Sequence, residues 1–168
     1  MNNKKISGGK REYRKYREGL FIPHRYVLYV YWYQFLKIAH QENRKINWKK
    51  YEEWGTPEEL FSQSFRKWWE KNWKRLFSEQ TPDGRTGKFI MSSERTKPDA
   101  IKTALEVYKN KDKENWDIVI YLQKKYPNKM MSITGQGATE TKEVNRTMKR
   151  YRKQSEDILQ NVCECQFP

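Results

Sequence analysis

Apolar residues recur along this chain mostly at steps of three and four, the period of an amphipathic helix. The clearest case is near the C-terminal end. Val144, Met148, Tyr151, Ser155, Ile158 and Val162 follow one another at alternating steps of four and three and predict a helix over 141–162. A second stretch opens on Thr56, Pro57, Glu58 and Glu59, a capping box with proline at the first helical position. From there Leu60, Phe61, Phe65, Trp68, Trp69, Trp73, Leu76 and Phe77 predict one helix that stops near Ser78. Over 23–40, Pro23 precedes a stripe of Val27, Leu28, Tyr31, Trp32, Phe35, Leu36 and Ala39. Tyr26, Tyr29, Val30 and Tyr33 make the rest of that helix ring-rich, so it is expected to be buried on more than one side. A strand over 26–33 is the competing reading, because alternating Tyr and Val also suits a sheet.

Two shorter helices follow. Pro98 starts one over 97–109, with Ala100, Ile101, Ala104, Leu105 and Tyr108 facing inward. Asn115 is expected to cap another over 116–126, carrying Ile118, Val119, Ile120 and Leu122 and ended by Pro127. Thr81, Pro82, Asp83, Gly84 and Gly87 are turn residues, a short strand is expected over 88–92, and Gly135 and Gly137 mark a loop ahead of the last helix.

Residues 1–19 break the pattern. They carry Lys4, Lys5, Lys10, Arg11, Arg14, Lys15 and Arg17 against Glu12 and Glu18, a net of +5, and almost nothing aliphatic. Such a segment buries too little to order itself and reads as a disordered basic arm. Tyr13 and Tyr16 interleave with its charges, which suits stacking on bases or sugars and equally suits a solubilising tail. The fold expected is mainly α, with about five helices and at most a short β-hairpin. A flexible arm over 1–19 would precede a single domain over 20–168, made of an aromatic-rich half, 20–80, and a helix-turn-helix-like half, 97–162.

Composition supports a core built from few, large side chains. Only 36% of the 168 residues are apolar, yet 15% are aromatic, including seven Trp and eleven Tyr. The formal charge of +14 calls for an acidic partner, of which nucleic acid is the commonest. No apolar run approaches the roughly 20 residues that span a bilayer, and the polar start has no signal-peptide core. A soluble, cytoplasmic protein, nucleoid-associated when bound to DNA, is therefore expected, with no membrane partner.

Catalytic signatures are missing from the sequence. Gly8, Gly9 and Lys10 lack the strand and spacing of a phosphate loop, and there is no nucleophile elbow or zinc motif. Cys163 and Cys165 have no second pair of ligands nearby, and His24 and His40 are isolated, so no metal and no cofactor is expected. The cysteines read as reduced thiols. Acidic pairs such as Asp83 with Asp99, or Glu106 with Asp112, leave a metal-dependent nuclease as the least favoured reading.

The order of the last three helices is more specific. Two short helices joined by a turn and followed by a basic third resemble a helix-turn-helix, apart from a connection of about fourteen residues before the last helix, where a simple turn has three or four. The last helix carries Lys142, Arg146, Lys149, Arg150, Arg152 and Lys153, opposed within that stretch by Glu143 alone. On this reading Thr139, Thr141, Lys142, Asn145, Arg146, Lys149, Arg150 and Lys153 face DNA, with Arg146 suited to guanine and Asn145 to adenine, and the arm adds Lys10, Arg11, Arg14, Lys15 and Arg17. The alternatives for the basic face are a solvated surface, or a stripe that tracks phosphates without sequence preference. Glu156 and Asp157 mark where contact with a polyanion should end.

Phe65, Trp68, Trp69, Trp73, Leu76 and Phe77, together with Ile158, Leu159, Asn161, Val162, Phe167 and Pro168, resemble a class of small uncharacterised basic proteins of phages and mobile genetic elements. The resemblance implies genome handling or regulation in such an element and brings no activity or site residues of its own. The expectation is thus a non-catalytic DNA-binding protein, favouring duplex over single strands and able to form a homodimer or higher oligomer. The alternative is a viral structural or assembly protein that binds other proteins, such as a capsid component, within a virion.

Overall fold

Among the described residues, six α-helices and one 3-10 helix follow a pair of three-residue strands. The structure is a computed structural model that describes residues 13–15, 21–23, 26–78, 87–89, 97–127 and 138–167. Strands β1 (Tyr13–Lys15) and β2 (Phe21–Pro23) pair antiparallel, with Tyr13 opposite Pro23. Then come α1 (Tyr26–Gln41), the 3-10 helix Trp48–Trp54, α2 (Pro57–Phe61), α3 (Phe65–Leu76), α4 (Pro98–Lys109), α5 (Asn115–Lys125) and α6 (Ala138–Cys163). The chain forms two compact units, one of Met1–Thr96 with Val162–Pro168 and one of Lys97–Asn161.

In the first unit, aromatic rings do most of the packing. Tyr29, Trp32, Tyr51, Trp54, Trp68, Trp73 and Phe77 are buried. Ring centroids lie 4.8 Å apart for Trp54 and Trp68 and 4.5 Å apart for Tyr29 and Phe77, within the range where aromatic pairs attract beyond their buried area. The polar tips of three of these rings are satisfied inside the core. Trp68 Nε1 donates to the Trp54 carbonyl at 2.9 Å, Trp32 Nε1 donates to the Tyr51 hydroxyl at 2.8 Å, and that hydroxyl donates to the Val162 carbonyl at 2.8 Å. Phe167 stacks on Trp32, which ties the C-terminal segment into the same cluster.

Four local expectations change. Helix α1 begins at Tyr26 and not at Pro23, which belongs to β2, and the Tyr and Val alternation over 26–33 is helical. The helix expected over 57–78 is broken at 62–64, where the Ser64 side chain accepts a hydrogen bond from Lys67 N and starts α3 as a new helix. Lys88 and Phe89 form a turn where a strand was expected, residues 90–92 lying outside the described residues. At α5 the cap position falls to Glu114, which makes no side-chain cap bond, and Asn115 is the first helical residue.

Residues 87–89 return alongside the end of α3, with Gly87 N donating to Ser78 O at 2.9 Å and Phe89 N to Leu76 O at 3.0 Å. The approach needs glycine. A Cβ at Gly87 would lie 2.6 Å from the Leu76 carbonyl oxygen and 2.9 Å from Phe77 N, both backbone atoms. Gly87→Ala should therefore destabilise the protein by about 2 kcal/mol, read as a lower urea midpoint at unchanged m-value. An unchanged midpoint would mean that this backbone approach carries no stability.

Candidate nucleic-acid interface

The residues that the sequence places together on α6 divide cleanly by face. Val144, Met148, Tyr151, Ser155, Ile158 and Val162 are all buried. Lys142, Arg146, Lys149 and Lys153 are exposed and follow one another at steps of four, three and four. At about 100° per residue they form a single line about 16 Å long, on the opposite side of the helix from the buried stripe. Lys153 pairs with Asp157 at 2.8 Å. Lys142, Arg146 and Lys149 form no ion pair among the described residues.

The other candidates of α6 do different work. Arg150 is exposed on the flank, its guanidinium 5.2 Å from the Tyr151 ring. The Asn145 amide oxygen accepts a hydrogen bond from Asn115 Nδ2 at 2.8 Å, and Asn115 Oδ1 accepts one from Arg152 Nη2 at 3.3 Å. Arg152 also donates to the carbonyls of Lys111 at 2.7 Å and Lys113 at 3.1 Å. This guanidinium thus clamps α6 to the turn at 110–114 by satisfying two of that turn's carbonyls. The sequence offered one signal for it. Arg152 directly follows the inward-facing Tyr151 and lies about 100° or less from the buried stripe, not on the line of exposed cations. Thr141 is exposed, and Thr139 belongs to the first turn of α6.

Arm candidates Lys10, Arg11 and Arg17 lie outside the described residues, while Arg14 and Lys15 belong to β1. On α3, Arg66 is paired with Glu70, and Arg75 donates to the Glu53 carbonyl at 2.6 Å, which leaves Lys67 and Lys71 as exposed cations without an ion pair among the described residues.

The carboxylate of Glu106 and the thiol of Cys165 are held in the packing of the chain. Glu106 is buried between α4 and α5, accepting from Lys125 Nζ at 2.8 Å and from the Tyr121 hydroxyl at 3.1 Å. Burial alone would raise its pKa, but the bonds from Lys125 and Tyr121 outweigh it and hold the carboxyl below the ordinary carboxylate value. Asp83 lies outside the described residues. Burial pushes the Cys165 thiol up to about 11, so it is protonated at neutral pH. Among the described residues no three His, Cys, Asp or Glu side chains gather as metal ligands, and no helix is long and apolar enough to cross a membrane.

Comparison with protein-family models, with curated proteins and with solved structures finds no match for this chain.

Proposed function

We propose that this chain is a non-catalytic DNA-binding protein, a regulator or genome-handling factor of a phage or mobile element, that contacts duplex phosphates through α6 and its N-terminal basic segment. The observation that carries this reading is the line Lys142, Arg146, Lys149 and Lys153, set opposite a fully buried stripe and with three members free of acidic partners among the described residues. A merely solubilising face would intersperse acids along that line. Concentrated cations facing solvent lower their own repulsion by displacing counterions from a polyanion.

Helix-turn-helix geometry is part of the proposal in one respect only. The short turn, 110–114, joins α4 to α5, but there Asp112, Glu114 and Asp117 balance Lys109, Lys111 and Lys113, so the start of α5 offers phosphates no net positive charge. This favours α6 as the contact helix.

A duplex mobility shift over a salt series tests the reading with the intact protein, an Arg146→Ala, Lys149→Ala double variant, and a variant lacking residues 1–19. The double variant should bind about tenfold more weakly near 0.1 M salt, and both changes should flatten the salt dependence. If neither change weakens binding, the assignment fails. An assembly role is the second reading, favoured by Trp116 and Ile120, which are 38% and 58% exposed and lie one helical turn apart on α5. Exposed rings on α1 would also favour it, but there Tyr29, Trp32 and Tyr33 are buried and Tyr26 is 37% exposed. Self-association without any duplex binding would select it.

A further inference from the structure

Resting on the DNA-binding reading, we infer that α6 rides as a ridge along one phosphate strand and reads no bases, so that the protein binds duplex DNA without sequence preference. A recognition helix in the major groove turns its central line toward the base edges and its flanks toward the two phosphate walls. In α6 the charges are arranged the other way round. The central line is Lys142, Arg146, Lys149 and Lys153, three of them lysines, whose ammonium groups act as point charges and not as the planar fork that reads guanine.

Acidic residues stand beside this line. Exposed Glu143 and Arg150 lie about 100° and about 80° to one side of Lys142, while Glu156 and Asp157 lie beyond the C-terminal end of the line, Asp157 paired with Lys153 at 2.8 Å. In a groove the Glu143 carboxylate would face a wall and be repelled by it. Against a single backbone it points away to the side while the central line, with Arg150 beside it, meets the phosphates. The residue best suited to adenine is also committed elsewhere. Reading adenine takes both amide atoms of an asparagine turned toward the base, and the Asn145 amide is oriented toward Asn115 by a 2.8 Å hydrogen bond that continues into the Arg152 clamp. Freeing it would loosen the clamp on the 110–114 turn.

The test is selection of the full-length protein on a pool of duplexes carrying 20 randomised base pairs, followed by sequencing and by binding curves on recovered duplexes at several salt concentrations. Recovered duplexes should show no consensus. Lys142→Ala and Lys149→Ala should each weaken binding uniformly and lower the salt slope by about one, and Arg146→Lys should stay within about threefold of the wild type. An enriched consensus, or a loss of more than about tenfold in Arg146→Lys on the recovered duplexes, overturns the ridge while leaving DNA binding intact. Failure to retain any duplex at low salt overturns both.

Discussion

Replacing Trp68 with alanine is expected to cost about 4 kcal/mol. Trp68 is 2% exposed, and its ring lies against Trp54 at 4.8 Å, Phe65 at 5.8 Å and Phe77 at 5.9 Å. Truncation removes buried apolar area, leaves a void among rings too large to collapse into it, and takes the Nε1 donor away from the Trp54 carbonyl. Against a typical domain stability of about 5–15 kcal/mol this is a large fraction. Trp68→Phe keeps most of the packing and should lose only about 1–2 kcal/mol. Trp116→Ala, at an exposed position, should stay within about 0.5 kcal/mol of the wild type. Urea unfolding followed by far-ultraviolet circular dichroism ranks the three. Equal midpoints for Trp68→Ala and Trp116→Ala would mean that the ring cluster does not hold the first unit together.

The second large effect is expected at Glu106. Its carboxylate accepts from Lys125, from Tyr121 and, at 3.5 Å, from the Tyr126 hydroxyl, in a position only 7% exposed. Glu106→Ala would leave those donors without their acceptor. Lys125 is 40% exposed and can turn toward water, which limits the cost to about 2–3 kcal/mol. The pH dependence has a definite sign. The folded carboxyl has a lower pKa than the unfolded one, which titrates near about 4.3, so its contribution is full above that value and is lost as pH falls through the folded pKa. The stability gap between wild type and Glu106→Gln should therefore be constant above about pH 6 and narrow as pH falls below about 4.5. A gap that is flat down to pH 2 would show that the Lys125 pairing carries no net stability.

Helical faces were readable in the sequence wherever one residue type filled them. The six stripe residues of α6 are all buried because a helix against a core obeys a fixed period, and that period is visible in the order of residues alone. The capping box at Thr56 forms as its spacing requires, with Glu59 N donating to Thr56 Oγ1 and Thr56 N to Glu59 Oε2. The break at 62–64 was less legible. Phe61 and Phe65 keep helical spacing across it, and only the local competition of a serine side chain for a backbone N–H ends one helix and begins another. The 3-10 helix Trp48–Trp54 carries Trp48, Tyr51 and Trp54 at steps of three, its own period, and Tyr51 and Trp54 are buried against Trp32, a ring distant in sequence.

By itself, the sequence determined the mainly helical class, the inward face of α6 and the line of cations on it, because these follow from helical period and residue type, whereas on α1 Tyr29 and Tyr33 are buried in place of Val27 and Tyr31 of the expected stripe. Tertiary structure decided which polar residues are available to a partner. Arg152 and Lys149 are both cations of one helix, three residues apart, yet Arg152 is spent on the carbonyls of Lys111 and Lys113 while Lys149 faces solvent. Asn145 and Asn115, thirty positions apart, hold each other. Such assignments depend on which carbonyls the turn between two helices leaves unpaired and which amides stand beside it, and those groups come into reach only when helices pack.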